Sequence, residues 1–415
     1  MSEEFIANIS SKLNLSKELE LPDYEGYSLT PHNKTDKVLN FSPGPTALPE
    51  VAMAEIIKEL LNDWSLGVTP LEISHRSPEF LSIKNNCEKL FKELLKVPDN
   101  YSLIWTHGGG HAQFSAVPLN LMKKKNDEPN YIVTGTWSNR SFLEAQKFCK
   151  PQASSEKVFH EVDSISTDFI KDSISKKSSY IYLCSNETIN GLEFREDGLA
   201  VPSRTDTNNK IMVVDMSSDI LSKRINWDNI DIAFACSPKN FGFPGSSVVI
   251  INNDILDDEY KNYNKNIPSV LDWKLINNSD SFWNTLPVFN IYVTEKILNY
   301  YKEIGGIEKL EEISKTKAEI IYSILDDYDI YQPLVAKDRP ERSRMNIPFY
   351  IKNKETMLLF LKNAYINNIV GLRTKTPFSS DDKPEALRIG LYNSITIEDT
   401  IILAVFMKKF AKLVG

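Results

Sequence analysis

Cysteine and histidine are scarce in this chain, which has four cysteines and five histidines among its 415 residues. The cysteines form no C-x-x-C pair, and the histidines lack the spacing of a metal-ligand set. Scattered single cysteines are typical of free thiols in a reducing compartment. The sequence therefore predicts neither a disulfide framework nor a metal site.

Basic blocks and long apolar runs are also missing. The net charge is -8 and lysines and arginines form no cluster, which argues against a nucleic-acid partner. No apolar run approaches the length of a membrane span, so no membrane partner is expected. The opening MSEEFIANIS carries two glutamates and no apolar core, unlike a secretory or mitochondrial signal. We therefore expect a cytoplasmic protein.

The order of the predicted elements indicates an α/β fold. Between about 50 and 251, apolar strand-like runs alternate with helical periodicity, which predicts a mostly parallel sheet covered on both faces. From about 290 the pattern changes to amphipathic helices at about 288–304 and 307–326. Strands at NIPFYI and LRIGLYN, a helix around 357–365 and a closing helix from 397 follow. This order indicates a smaller α+β C-terminal domain.

The chain is long enough for two domains with separate cores. We expect residues 51–289 to form the large domain and residues 290–415 the small one. Residues 1–50 are expected to be an N-terminal segment that packs with the small domain, with one short helix before about residue 38.

Two helices are predicted at the start of the large domain. Helical spacing follows the turn-rich FSPGPTALPE at Val51, Ala54, Ile57, Leu60 and Leu61. Ser77 and Pro78 predict the start of a second helix. Its predicted apolar stripe is Leu81, Cys87, Leu90, Phe91, Leu94 and Leu95.

Residues 231–250, DIAFACSPKNFGFPGSSVVI, are the most informative stretch of the chain. Runs at 232–236 and 248–251 predict buried strands, and the bend between them is rich in glycine and proline. Lys239 lies in this bend. Burial lowers the pKa of a lysine and makes it a nucleophilic amine, as in Schiff-base lysines. Taken alone, however, a solvated loop lysine is the commoner explanation.

Four other features stand near predicted strand ends. KIMVVDMSSDI predicts a strand that ends at Asp215, and open α/β sheets bind ligands outside the carboxyl ends of their strands. THGGGHAQF predicts a glycine-rich turn and a helix beginning near Ala112, which together present N–H groups to an anion. YIVTGTW predicts a strand ending in Trp137. A polar turn, SNETING, follows another predicted strand.

Pyridoxal phosphate chemistry needs four parts. They are a lysine in a strand-connecting bend, an acid at a strand end, an aromatic platform and a glycine-rich anion cup. The lysine holds the cofactor aldehyde, the acid keeps the ring nitrogen protonated, the aromatic ring stacks on the cofactor and the cup binds its phosphate. The lysine can also serve as the base at the substrate Cα.

The chain resembles the phosphoserine aminotransferase family, within the class V aminotransferases. Ten runs in order carry the resemblance: FSPGPTALPE, EISHRSPEF, HGGGHAQFSAVPLNL, GTWSNRSFLEA, YLCSNETINGLEF, VVDMSSDILSKRI, PKNFGFPG, FWNTLPVF, RSRMNIPF and LRIGLYNSI. The resemblance implies the fold type I of pyridoxal-phosphate enzymes, with a seven-stranded, mostly parallel sheet in the large domain. It also implies a homodimer with shared active sites.

The resemblance assigns roles to single residues. It implies that Lys239 is the Schiff-base lysine, that Asp215 is the partner of the ring nitrogen, that Trp137 stacks on the ring and that Thr188 binds its phenolic oxygen. The positions of the phosphate cup are Gly110 and His111, and those that reach the phosphate from the neighbouring subunit are Asn284 and Thr285. The substrate phosphate is assigned to His75 and Arg76, and the substrate α-carboxylate to Arg388.

The chain departs from the family at three places, one of which is His111, where the family often has arginine or a small residue. Pro238 stands where the family usually has glutamine, so a donor toward the cofactor phosphate is lost unless His111 or Ser237 compensates. The G-H-R segment that helps to bind the substrate phosphate is replaced by a longer segment, in which Arg373 and Lys375 are the candidate substitutes.

The leading interpretation is transamination between glutamate and 3-phosphohydroxypyruvate, giving O-phospho-L-serine and 2-oxoglutarate in serine biosynthesis. One alternative is an aminotransferase of the same fold that acts on another 2-oxo acid. Another is a pyridoxal-phosphate-binding homologue with weakened catalysis, for which Pro238 is the only support.

Overall fold

The computed structural model describes residues 37–61, 68–124, 126–154, 170–171, 174–257, 266–373 and 385–414. The short helix predicted before residue 38 falls almost entirely outside these ranges. The strands are β1 (Leu39–Asn40), β2 (Tyr101–Thr106), β3 (Asn130–Ile132), β4 (Gln152–Ala153), β5 (Tyr180–Cys184), β6 (Asn186–Glu187), β7 (Leu192–Glu193), β8 (Ile211–Asp215), β9 (Ile232–Cys236), β10 (Ser247–Asn252), β11 (Tyr331–Pro333), β12 (Asn346–Ile351), β13 (Ile369–Val370) and β14 (Leu387–Gly390).

The helices are numbered within the described ranges. They are α1 (Glu50–Leu61), α2 (Pro78–Leu95), α3 (Gly109–Leu121), α4 (Thr136–Ala145), α5 (Asn253–Leu256), α6 (Trp273–Asn278), α7 (Val288–Glu303), α8 (Gly306–Asp327), α9 (Lys354–Ile366) and α10 (Ile397–Val414).

The predicted seven-stranded, mostly parallel sheet is confirmed. Its strand order is β2-β10-β9-β8-β5-β3-β4. Only β10 among these strands is antiparallel to its neighbours, whereas β3, β4, β5, β8 and β9 pair in parallel. The carboxyl ends of β2, β3, β5, β8 and β9 therefore meet at one edge, where the amino end of β10 joins them. Such an edge is where open α/β sheets bind ligands.

The smaller α+β part has a core of its own. Strands β11, β12 and β14 form an antiparallel three-stranded sheet, on which α9, α10 and the second half of α8 pack. The start of the described chain joins this core, because β1 pairs with β13 and both Leu39 and Phe41 are buried there. This packing supports the predicted association of the N-terminal segment with the small domain.

The predicted domain boundary near residue 290 falls inside one packed core. Residues of α7 such as Ile291 and Ile297, and Leu310 in the first half of α8, are buried in the same core as α2 and the large sheet. Ala318 and Ile321, farther along α8, belong to the second core. The division of the chain into two domains stays a prediction, and this packing favours a domain boundary within α8.

Two predicted apolar faces differ from those observed. In α1 the buried residues are Ala52 and Ile56, whereas Val51, Ile57 and Leu61 are 59%, 50% and 79% exposed. A row of apolar residues on a helix does not indicate which of two apolar faces is buried. Here the face with Ala52 and Ile56 packs against α7. In α2 the predicted cap is confirmed, with Ser77 accepting from the Phe80 N–H, but Leu81 lies on the exposed side.

Within the described ranges, none of the helices is both long and apolar enough to cross a membrane. The same part of the chain holds no group of three or more histidine, cysteine or acidic residues arranged to bind a metal ion.

Candidate active site

A cavity of about 410 Å³ lies at the carboxyl edge of the large sheet. It is lined by Gly110, His111, Trp137, Thr188, Asp215, Pro238 and Lys239, all of which the sequence singled out. These residues come from the loops after β2, β3, β5, β8 and β9, so the parallel strands bring together positions that are far apart in the chain.

Lys239 is held by a tight bend between β9 and β10. Its backbone N–H donates to the Ser237 carbonyl at 2.7 Å, and the Ser237 hydroxyl donates to the Phe243 and Ser246 carbonyls. Gly44 packs on the lysine side chain, and a Cβ at this position would lie 2.5 Å from Cε of Lys239. With φ at +117°, residue 44 also favours glycine. The bend and Gly44 therefore fix the lysine toward the cavity.

The electrostatics of Lys239 differ from the expectation. Burial lowers the pKa of a lysine, but the nearby Cys236, Tyr392 and Asp215 oppose this effect, and the pKa of Lys239 is raised. The Nζ of Lys239 lies 3.9 Å from the Cys236 sulfur. The prediction of a lowered pKa is therefore wrong for the cofactor-free protein, because the amine faces several acidic groups.

Asp215 ends β8 and is almost completely buried. Burial raises its pKa to about 6, although the neighbouring Ser217 and the charge of Lys239 lower it. The Ser217 N–H donates to Oδ1 at 2.9 Å, and the Tyr182 hydroxyl lies 3.4 Å from Oδ2. A buried carboxylate with so little charge compensation is suited to a cationic partner in the cavity.

Trp137 lies on the first turn of α4, not at the end of a strand as predicted. Strand β3 ends at Ile132, and extended residues up to Gly135 lead into the helix. The indole N–H donates to the Thr188 hydroxyl at 2.7 Å. Arg388 is buried behind Thr188 and donates to its carbonyl at 2.9 Å. One threonine therefore links the aromatic wall of the cavity to the arginine assigned to the substrate carboxylate.

The glycine-rich turn forms the anion cup that the sequence predicted, but α3 begins at Gly109 and not near Ala112. The helix starts early because Gly108 adopts a left-handed conformation, with φ at +81°, that turns the chain directly into it. No side chain of the described residues caps this end. Its first N–H groups and the positive end of the helix dipole therefore face the cavity.

Pro238 removes a donor from the cup, and Ser237 does not replace it, since its hydroxyl is used within the bend. The Ser217 hydroxyl is buried at the cavity without a hydrogen-bond partner among the described residues. A Cβ at Gly110 would lie 3.7 Å from this oxygen. Ser217 and His111 are therefore the side chains of this cup that could contact a phosphate.

His75, Arg76, Asn284 and Thr285 do not line the cavity and form a second group near its rim. The ring of His75 lies 6.3 Å from that of Phe282, two residues before Asn284. The Thr285 carbonyl is 2.9 Å from His107 Nε2, next to the glycine-rich turn. The structure thus brings the two predicted pairs together, but outside the cavity of their own chain.

Arg373 also lies away from the cavity. Its Nε is 3.0 Å from Oε2 of Glu385, so its charge is already paired. Lys375, the other candidate in this segment, lies outside the described residues. The assignment of Arg373 to the substrate phosphate stays a prediction without structural support.

Several residues around the cavity were not singled out by the sequence. They are Cys184, Asn186, Ser217, Ser218, Cys236 and Ser246. All of them lie within three residues of a strand end at the carboxyl edge of the sheet or of the start of β10. Polar residues shortly after Cys184 and Asp215 were the signal that could have identified three of them, Asn186, Ser217 and Ser218.

The residues present fit pyridoxal phosphate. The cavity contains an amine, a buried carboxylate, an aromatic wall and an anion cup, and the unpartnered Ser217 hydroxyl lies beside that cup. The lining contains one cationic group, Lys239, and one anionic group, Asp215, which match a cofactor that has an aldehyde, a basic ring nitrogen and a phosphate.

Comparisons with known proteins agree with this geometry. Residues 38–403 match the family described as Aminotransferase class-V. A phosphoserine aminotransferase from Buchnera aphidicola subsp. Cinara cedri is 35% identical over 91% of this chain and 99% of its own length. One from Blochmanniella floridana is 32% identical over 91% of this chain and 100% of its own.

Solved structures give the same result. The phosphoserine aminotransferase from Bacillus circulans subsp. alkalophilus superposes with a TM-score of 0.80 at 27% identity, over 91% of this chain and 99% of that one. The pyridoxal-phosphate-bound enzyme from Trichomonas vaginalis gives a TM-score of 0.79 at 28% identity, over 90% of this chain and 100% of that one. The chain therefore belongs to the class-V aminotransferase family.

Proposed function

We propose that this chain catalyses transamination between glutamate and 3-phosphohydroxypyruvate, giving O-phospho-L-serine and 2-oxoglutarate, as part of serine biosynthesis. One observation carries the proposal. Lys239, Asp215 and Trp137 line the same cavity as the glycine-rich cup. Arg388 lies behind this cavity and donates to the Thr188 carbonyl. The similarity to phosphoserine aminotransferases over nine-tenths of the chain supports the choice of substrates.

The cofactor is pyridoxal phosphate, which supplies an electron sink for the bond that breaks at the amino-acid Cα. Lys239 would hold its aldehyde carbon and Asp215 its ring nitrogen. Trp137 would stack on the ring, and Thr188 would bind the phenolic oxygen. The phosphate would be held by Gly110, His111 and Ser217, and by Asn284 and Thr285 of a neighbouring subunit.

The chain's own groups account for the rest of the chemistry. Lys239 lines the cavity, and its amine in the neutral form can take a proton from the substrate Cα. The planar guanidinium of Arg388 suits a carboxylate, and its bond to the Thr188 carbonyl fixes its orientation. Since both substrates carry an α-carboxylate, one arginine serves both halves of the reaction.

The substrate phosphate is assigned to His75 and Arg76 of the neighbouring subunit in a homodimer. Arg76 is exposed and makes no side-chain hydrogen bond or ion pair to the described residues. His75 lies beside the segment that carries Asn284 and Thr285, so both pairs would enter the neighbour's site together. The exposed apolar face of α1, with Val51, Ile57 and Leu61, supports a contact between copies.

Arg76→Ala is expected to raise the KM for phosphoserine more than about tenfold, because a charge-assisted bond to a dianion is lost. Glutamate has no phosphate, so its KM should change little. Arg373→Ala is the matched control, and since Glu385 already pairs with Arg373 it should change either KM by less than about threefold. Steady-state kinetics with each amino acid measure the effect.

A larger effect of Arg373→Ala than of Arg76→Ala on the KM for phosphoserine would reverse this assignment.

Mixed dimers test whether the active site is shared between subunits. Mixing Arg76→Ala subunits with Lys239→Ala subunits should restore activity, since each mixed dimer then contains one site with both residues. No recovery in mixed dimers would place Arg76 in the site of its own chain.

A cofactor-binding protein with weakened catalysis is the second candidate, favoured by Pro238 alone. The two candidates differ in one measurement. The visible absorption band of the purified protein should shift when glutamate is added if the amino group is transferred. A band that does not move with glutamate would favour the second candidate.

The four cysteines are all free and buried, which supports a cytoplasmic location.

A further inference from the structure

The start of α4 is bound by side chains from the polar turn after β5. The first three N–H groups of this helix belong to Thr136, Trp137 and Ser138. The Thr136 N–H donates to Asn190 Oδ1 at 2.9 Å. Those of Trp137 and Ser138 donate to the two carboxylate oxygens of Glu187, each at 2.8 Å. The first N–H groups of a helix are satisfied by capping side chains, water or ligands, and here a carboxylate from another element binds them.

Glu187 is completely buried and is held on more than one side. The Ser138 hydroxyl donates to Oε1 at 2.6 Å, in addition to the two backbone donors. A Cβ at Gly135 would lie 2.5 Å from Cδ of Glu187, so the carboxyl group approaches the backbone closely where the chain has glycine. Small shifts of this carboxylate would therefore move the first turn of α4.

The neighbouring residue connects this contact to the cavity. Thr188 accepts the indole N–H of Trp137 at 2.7 Å, and its carbonyl accepts from Arg388. Glu187 thus holds the backbone of Trp137 while Thr188 holds its ring. The two contacts together fix the plane of the indole that forms a wall of the cavity.

The charged form of Glu187 is disfavoured by its buried surroundings. Burial raises the pKa of Glu187 to about 7 from an ordinary value of 4.5, despite the hydrogen bonds from Ser138 and Trp137. An acid with a raised pKa makes the folded state less stable as pH rises from about 4.5 to about 7. A buried acid whose charged form is disfavoured, beside the cavity-lining Trp137 and Thr188, points to a functional role.

We propose that Glu187 is a positioning residue, which sets the plane of Trp137 for stacking on the cofactor through its bonds to the N–H groups of Trp137 and Ser138. This inference rests on the proposed function, since it assigns Trp137 to the cofactor ring. It predicts that the carboxylate acts on cofactor affinity and not mainly on folding.

The test is the Kd of pyridoxal phosphate for the cofactor-free protein at pH 8, measured with the melting temperature. Glu187→Gln is expected to raise the Kd about tenfold or more, since an amide nitrogen meets one of the helix donors. Glu193→Gln is the matched control. Glu193 lies in the same hairpin and is equally buried, but it contacts Lys223 and the Arg344 N–H.

The two glutamates should respond in opposite ways. The charges of Lys223, Arg195 and Arg344 lower the pKa of Glu193 against the effect of burial, so this carboxylate stabilises the fold. Glu193→Gln should therefore lower the melting temperature more and change the Kd less than Glu187→Gln. Equal effects of the two variants on the Kd, or an unchanged Kd in Glu187→Gln, would overturn the proposal.

A double-mutant cycle with Trp137→Phe tests the route of the effect. Phenylalanine has a smaller ring to stack and lacks the indole N–H that Thr188 binds, so the ring plane is no longer fixed by both contacts. The Kd penalty of Glu187→Gln should therefore be smaller in that background, whereas full additivity contradicts the proposal. If Glu187→Gln does not fold, Ser138→Ala removes one donor and should raise the Kd about threefold, and no change there overturns the inference. If the wild-type protein binds no pyridoxal phosphate, the proposed function itself fails.

Discussion

Lys239→Ala is expected to abolish transamination, lowering kcat by on the order of 10³-fold or more, while the fold remains intact. Alanine has no amine to hold the cofactor aldehyde or to move the proton at the substrate Cα. Steady-state kinetics and the visible absorption band of the purified variant measure the two losses separately. Circular dichroism should be unchanged, because Lys239 lies in the bend beside Gly44 and lines the cavity.

Lys239→Arg is the matched control for charge. A guanidinium keeps the positive charge near Asp215 but stays protonated, so it cannot act as a nucleophile. Both variants should therefore be inactive to a similar degree. Near wild-type turnover in either one would remove the assignment of Lys239.

Asp215→Asn should lower kcat by on the order of 10²-fold, with a much smaller change in KM. An amide cannot keep the ring nitrogen protonated, so the charge that develops in the transition state is stabilised less. Asp219→Asn is the matched control, since Asp219 is also buried after β8 but pairs with Lys223. An effect of Asp215→Asn confined to KM would contradict its role.

The pKa of Asp215 adds a pH dependence to this prediction. With a pKa of about 6 in the cofactor-free protein, the carboxylate is charged above that pH and neutral below it. Cofactor affinity should therefore fall as pH drops through about 6, and this step should be absent in Asp215→Asn. The same raised pKa means that the cofactor-free fold loses stability as pH rises from about 3.8 to about 6.

The sequence predicted the large sheet and the residues that follow its strands well. Buried parallel strands are continuous apolar runs, so Ile232–Cys236 and Ile211–Asp215 could be read directly. Because their carboxyl ends share an edge, the clustering of Asp215, Lys239 and the glycine-rich turn also followed from the order of elements. Short strands such as β1 and β13, with two residues each, left no such pattern.

Features that depend on packing partners were not predictable in the same way. The face of α1 that is buried depends on where α7 packs, and the local pattern favoured the exposed face. The raised pKa of Lys239 depends on Cys236 and Tyr392, which are distant or unremarkable in the sequence. The role of Glu187 depends on a contact with a helix start some fifty positions earlier in the chain.

The substrate is tested most directly by a side-by-side turnover assay with glutamate as the amino donor. The acceptors are 3-phosphohydroxypyruvate and hydroxypyruvate, which differ only in the phosphate. The proposed function predicts that kcat/KM for the phosphorylated acceptor is higher by on the order of 10²-fold or more, because several charged donors meet the dianion. Equal turnover of the two acceptors, or a preference for hydroxypyruvate, would contradict the account and favour an aminotransferase for another 2-oxo acid.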